Sequence, residues 1–388
     1  MDKTAAERFE QTRWLEDSPA KVTQLEDVIR LADLTQDAET ALQARNELID
    51  AAMWSGQSEK AIVAFAAVLH AFDQKAPEER DWYVTHDLLW KYKWMLSVVQ
   101  DLPSIPLERV NAMFEDFARR LLEHGYGHRV VAHKRLSFAL HANDREEAER
   151  QFKLWRGTPR DSMSDCEACE ADEEVRYQLF LNDDENAIRK ARPLFEGRLG
   201  CHSVPISTYA MLLQPMLRLG RTEDAMKYHL KGVKRTLKDP DFMRSAGHHL
   251  AFLALTGNLD AARRTFEKTV AFALPSHELE NRFYYFGDVL TWALMLEQHG
   301  LQLVTLTAPS NFPVKPAETA RNARLKKAKE FTVATLRDWV AAELESMASR
   351  FDSRLGTPVF RARIQKFRDA VQYAVQHPLE NPAGTPQT

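Results

Sequence analysis

The sequence has little of what most function classes require. No run of apolar residues approaches the ~20 needed to cross a bilayer as a helix, so no membrane role is expected. Three cysteines in 388 residues cannot supply the disulfide framework of a secreted domain. The N-terminal Met-Asp-Lys-Thr-Ala-Ala-Glu-Arg lacks the apolar core of a secretory signal, and both features point to a cytoplasmic protein. Fourteen glycines and 17 prolines exclude a collagen-like or low-complexity chain. With 52 basic and 56 acidic residues the net charge is −4, so no global field draws nucleic acid or anionic lipid. Catalytic signatures are missing too. The chain has no Gly-rich phosphate loop with Lys-Ser/Thr, no strand–GxGxxG–helix unit, no His-Glu-x-x-His pair and no Gly-x-Ser-x-Gly elbow.

What is present is helical periodicity from end to end, interrupted only by a short alternating stretch at Leu303–Leu306. Helices of roughly 12–20 residues alternate with brief turns carrying Gly, Asn, Asp or Pro. The turns share a register. Ala61 follows Gly56 by five residues and Phe65 follows it by nine. The same spacing recurs at Asn143, Ala148 and Phe152; at Asn182, Ala187 and Ala191; at Gly220, Ala225 and His229; and at Gly257, Ala262 and Phe266. From Asn143 through Asn182 and Gly220 to Gly257 the steps are 39, 38 and 37 residues. Gly or Asn ends a first helix in the left-handed conformation. The Ala lets the second helix approach closely, and the residue at +9 lies one turn further along the same face.

This pattern, clearest in Thr256-Gly-Asn-Leu-Asp-Ala-Ala-Arg-Arg-Thr-Phe266, resembles the tetratricopeptide-repeat (TPR) superfamily over about Gln36–Gly300. The resemblance implies an all-α, TPR-like antiparallel helix-pair solenoid and a protein-binding role. The chain departs from the family in its longer repeat and in bulky residues where the first helix should carry a small one, at Ile49, Leu136, Val175, Leu213 and Leu250. It is also similar to uncharacterised bacterial members of that superfamily. That likeness rests on Cys166-x-x-Cys169, Cys201, Leu253-Ala-Leu-Thr-Gly-Asn-Leu259 and Arg350-Phe-Asp-Ser-Arg-Leu-Gly-Thr357, and it implies no activity.

The expected organisation is a helical-repeat array over 1–300 and a Pro-containing linker over 301–316, marked by Pro309, Pro313 and Pro316. A C-terminal helical hairpin then spans 317–377 and a flexible tail 378–388. Within the array, Asp81–Val99 and Pro106–Glu123 form one further pair, and helices near Ala5–Leu15 and Ala20–Leu34 another. Glu278–His299 closes it. The hairpin carries a stripe from Leu325 to Phe351, a cap at Gly356, an N-cap at Thr357-Pro358 and an apolar face from Phe360 to Val375. It folds back as a cap on the array or joins two subunits in a homo-oligomer.

Two constellations stand out. Cys166, Cys169 and Cys201 each precede a first helix of adjacent pairs, which brings all three thiols to one edge at the ~8–10 Å spacing of packed helices. CxxC is suitable metal spacing, and a fourth ligand is available from His202, from His248 or His249, or from an acidic residue. The surrounding Asp165, Glu167, Glu170, Asp172, Glu173 and Glu174 favour a cation over a reactive thiolate. Structural zinc and simple thiols are the two main readings, with a redox role the third. The second constellation is the row Trp82, His86, Trp90 and Trp94, four apart on one helix, with Tyr83 and Tyr92 nearby and Lys91 and Lys93 to supply charge. Such a row is either core or a platform for a peptide partner.

Other groups carry less. Phe283-Tyr284-Tyr285-Phe286 presents rings to all sides of a helix, and His124, His128 and His133 flank a turn without a carboxylate to complete a metal site. Arg321, Arg324, Lys326, Lys327 and Lys329 read as a solvated face. The expectation is a non-enzymatic scaffold binding a peptide or protein along its groove. The alternatives are a ligand- or peptide-responsive sensor and a metal-dependent enzyme at the cysteine cluster.

Overall fold

The computed structural model describes residues 3–317 and 328–379, and most of them are helical. Among these residues no helix is long and apolar enough to cross a membrane. The chain divides into two compact units, Met1–Ser164 and Asp165–Thr388. The boundary falls inside the stretch 1–300, which the repeat spacing alone marks as one array. It lies in the helix-free segment after Gly157, where Pro159 and a turn closed by Ser164 N–H on the Asp161 carbonyl interrupt the helical run.

The first unit contains α1 (Ala5–Thr12), α2 (Pro19–Leu34), α3 (Ala38–Met53), α4 (Ser58–Asp73), α5 (Trp82–Asp101), α6 (Leu107–Glu123), α7 (Arg129–Ala142) and α8 (Arg145–Gly157). Thr4, Ser18, Asp37, Asp81 and Asp144 accept backbone N–H bonds at the starts of α1, α2, α3, α5 and α8, satisfying donors that a helix leaves unpaired. Consecutive helices pack together, and α5 also packs on α7. Val22, Leu25, Phe65, Leu96, Phe114 and Phe117 lie in one apolar core. A polar clasp ties α4, α5 and α6: Arg120 donates to both oxygens of Asp73 at 2.6 and 2.7 Å and to Asp116 at 2.8 Å. Tyr92 donates to Asp116 at 2.9 Å.

The second unit contains α9 (Glu167–Phe180), α10 (Asp184–Lys190), α11 (Arg192–Phe195), α12 (Ile206–Met211), α13 (Leu213–Arg218), α14 (Thr222–Thr236), α15 (Met243–Leu255), α16 (Leu259–Ala273), α17 (Leu279–Gln298), α18 (Val333–Leu355) and α19 (Val359–Asp369). Pro215 has no N–H and crowds the carbonyl of Met211, so the helix breaks at Leu212 into α12 and α13. Helix α15 packs on α16 and α17, and α17 on α18 and α19.

At five turns the backbone does what the spacing anticipates. Gly56, Asn143, Asn182, Gly220 and Gly257 all have positive φ, between 56° and 77°. Ala61, Ala148, Ala187, Ala225 and Ala262 are all fully buried. The bulky residues seven before each turn, Ile49 through Leu250, are buried as well.

The stretch 301–316 is not a free linker. Leu303–Leu306 forms β1, antiparallel to β2 (Lys329–Thr332), with Leu303 opposite Thr332. Alternation puts Val304, Leu306 and Phe331 inward, and Phe312 meets Phe266, Phe331 and Trp339. Apolar residues between the prolines therefore hold the segment down. The last long helix starts at Val333 rather than Ala317; Leu325, Arg321, Arg324, Lys326 and Lys327 lie outside the described residues, as does most of the tail, 380–388. Gly356 caps α18 with φ 69°. The next N-cap is Pro358, not Thr357, and its missing side-chain acceptor is replaced from α18: the Asp352 carboxylate accepts from Phe360 N–H at 2.7 Å and Arg361 N–H at 3.2 Å. The hairpin packs against α17, with Phe360 stacked on Phe351 and edge-on to Phe283.

Candidate functional site

In the first unit, Asp81 starts α5 by accepting the N–H groups of Tyr83 and Val84, and the four-residue period then lines the rings along one face. Trp82 lies over His86 (centroids 5.2 Å), and His86 stacks on Trp90 at 6.0 Å. The row continues onto α3, where Trp54 at the C-cap meets Trp94 edge to face at 5.9 Å. Tyr126 meets His86 edge to face at 6.1 Å. Trp82 is 59% exposed, Tyr83 76% and Trp54 53%, while His86, Trp90 and Trp94 are half-buried. Only Tyr92, on the opposite face, belongs to the core. The row is an open aromatic surface seated on a packed base.

Lys91 does not supply charge to it, and Lys93 does so only at Trp90. Lys91 is buried and held by Asn46, Asp50 and Asp87 at 2.9–3.0 Å. Lys93 is fully buried, donating to the Met163 carbonyl at 3.2 Å with its ammonium 3.1 Å from the centre of the Trp90 ring. Acceptors distant in sequence draw both ammonium groups inward.

In the second unit the three thiols converge. Cys166, Cys169 and Cys201 place their sulfur atoms within 4.8 Å of one another, and Cys169 and Cys201 are 3.5 Å apart. Cys166 is the N-cap of α9, its sulfur accepting Cys169 N–H at 3.4 Å. Burial, together with the neighbouring thiols, pushes the Cys169 thiol far up. Burial works the same way on Cys201, but N–H groups of Val204 and Ser203 outweigh it and bring that thiol below its ordinary value.

The histidines go elsewhere. His202 faces Arg235 at 3.2 Å, stacks on Phe242 and groups with Asp239 and Asp241 instead of the thiols. Burial, then Asp239 and Glu278, raise Asp241 to about 6. His249 is buried against His229, Nδ1 to Nδ1 at 3.0 Å. His248 Nδ1 is 2.8 Å from Asp288. The triplet His124, His128 and His133 does not assemble either, since His133 is buried and stacked on Trp155 at 4.6 Å.

Two groupings escaped sequence reasoning. The fully buried Asp288 of α17 joins His248 of α15 to Gln214 of α13, the latter at 3.1 Å. The 40-residue separation of His248 and Asp288 is close to the turn-to-turn spacing and is the signal that could have found them. Phe195, Tyr209 and Tyr228 form a triple stack, and Phe195 and Tyr228 line a cavity of about 630 Å³ together with Lys227 and Lys231. Nothing local in the sequence marks it, because the rings come from three helices. No family model matches the chain, and no curated protein matches it.

Proposed function

We propose that the chain is a non-enzymatic interaction module of the TPR-like class, an array of antiparallel helix pairs that captures a peptide or protein segment along the aromatic row of its first unit. The observation that carries this reading is the exposure of Trp82, Tyr83 and Trp54 beside the half-buried His86, Trp90 and Trp94. Large rings left in water are costly unless a partner covers them, and Trp and Tyr offer much contact area for little conformational entropy. The left-handed turns followed by buried alanines support the repeat architecture.

Charge favours a peptide over a single-stranded nucleic acid. A nucleic-acid groove pairs stacking rings with free cations. Here the two lysines of α5 are buried and ion-paired or carbonyl-bound, while the carboxylate of Asp87 is half exposed beside the row. An apolar or aromatic segment with basic flanks suits that surface. Selection of displayed random peptides on the full chain tests it. Enriched peptides should share apolar anchors and shift tryptophan emission to the blue on binding; a selection without enrichment counts against the reading.

A further inference from the structure

We infer that Cys166, Cys169 and Cys201 form a zinc-binding site of three thiolates whose fourth coordination position faces solvent. The inference does not rest on the peptide-binding reading, because it concerns the second unit alone. The sulfur atoms already lie within 4.8 Å of one another, with one pair at 3.5 Å. A tetrahedral ion with Zn–S bonds of ~2.3 Å needs sulfur atoms roughly 3.8 Å apart, so side-chain adjustments of about an ångström or less complete the geometry.

The backbone holds two of these sulfurs ready. Cys166 caps α9 and accepts an N–H bond from Cys169. Cys201 sits in a tight turn, its own N–H donating to the Val204 carbonyl at 2.8 Å, with the Ser203 hydroxyl 3.9 Å from its sulfur. Donors aimed at sulfur are the outer-shell feature that orients and stabilises a thiolate ligand. Of the acidic residues around Cys166 and Cys169, Asp172 and Glu173 face Arg176 and Glu174 faces Lys190, so the sulfur atoms themselves carry the site.

Ligand chemistry narrows the metal. Thiolates select zinc, copper(I) or iron–sulfur clusters, and the common iron–sulfur clusters take four cysteines, one more than the chain contains. Zinc accepts three protein ligands with water or another group in the fourth place. That place opens outward here because Cys166 and Cys201 are exposed. His202, His248 and His249 are engaged elsewhere and do not fill it.

The site also answers a local deficit. Behind the thiols, the buried apolar cluster consists of Ala168, Leu194 and Val204, with Cys169, Ala171 and Leu199 against it. So few and mostly small side chains bury little area. An ion bridging the start of α9 to the turn before α12 would fasten this edge. Each ligating thiol gives its proton to solvent, so binding releases up to about three protons and weakens in acid.

Full-length protein, purified reduced and without chelator, should carry one zinc ion per chain by elemental analysis. Cobalt(II) substitution should give the absorption of a tetrahedral thiolate site, and zinc removal should lower the melting temperature by roughly 5 °C or more. Cys169→Ser should cut retained zinc at least tenfold. If that variant misfolds, Cys166→Ser, at an exposed position, reads the same loss. Three free thiols with no zinc bound at micromolar concentration would overturn the inference. So would copper retained in place of zinc, a Cys169–Cys201 disulfide in reduced preparations, or unchanged zinc in both serine variants.

Discussion

Trp54 and Trp94 meet edge to face, 5.9 Å between ring centroids, where the end of α3 lies against the middle of α5. Edge-to-face contact sets the positive rim of one ring on the negative face of the other. Beside it, Lys91 of α5 reaches Asp50 and Asn46 of α3, so the surface row and its polar footing come from the same two helices.

That footing separates two kinds of tryptophan. Trp94 packs on the core, so Trp94→Ala should destabilise the first unit by about 2–4 kcal/mol. Trp82, mostly in water, should cost no more than about 0.5 kcal/mol on the same change. Urea unfolding of the two variants measures the difference. Equal losses would mean that Trp82 is structural and the row is not an available surface.

Ala262 is fully buried in the apolar core of the second unit, five residues after the left-handed Gly257. Ala262→Leu adds three carbons to a filled contact and should destabilise by roughly 1–3 kcal/mol. Chemical denaturation followed by far-ultraviolet circular dichroism checks it. A neutral result would show that the helices have room to separate, and close packing would then not be why an alanine stands at that place.

Acid should loosen the second unit through its buried histidine pair. Burial lowers His229 to about 3, and burial, then His229 and His248, push His249 well below its ordinary value. Unfolded histidines titrate near ~6.5, so below that pH the unfolded chain takes protons that the folded one refuses. Stability is therefore full above about pH 6.5 and falls as pH drops, by up to ~1.4 kcal/mol per unit for each histidine. Asp241, raised to about 6, works in the opposite direction, since its folded form holds a proton that the unfolded carboxylate gives up. The readout is thus a difference: between pH 7 and 5, a His229→Leu/His249→Leu variant should lose less stability than the wild type. Parallel pH dependences would contradict the assignment.

Much of this was legible because it is local. Left-handed turns at Asn143 and Asn182, close-packed alanines and helix ends near Trp82, Glu123 and Gln298 follow from residue type and spacing. The meeting of the thiols was legible too, although Cys169 lies in the first turn of α9 rather than before it. What stayed hidden depends on partners far along the chain. Lys91 and Lys93 read as charge beside the row until Asp50 and the Met163 carbonyl arrive. His202 follows Cys201 directly, yet Arg235 and Phe242 decide where its ring points. Gln36 takes a positive φ with no residue-type signal for it, and β1 finds its partner only at Lys329–Thr332.

The most direct test of the central claim is the affinity of a library-selected peptide for the full chain and for its Trp82→Ala variant, with melting temperatures recorded alongside. An aromatic anchor at the working surface is worth about 2 kcal/mol or more, so the dissociation constant should rise at least ~30-fold while the melting temperature stays unchanged. Equal affinity for the two proteins would contradict the account, placing any binding away from the aromatic row.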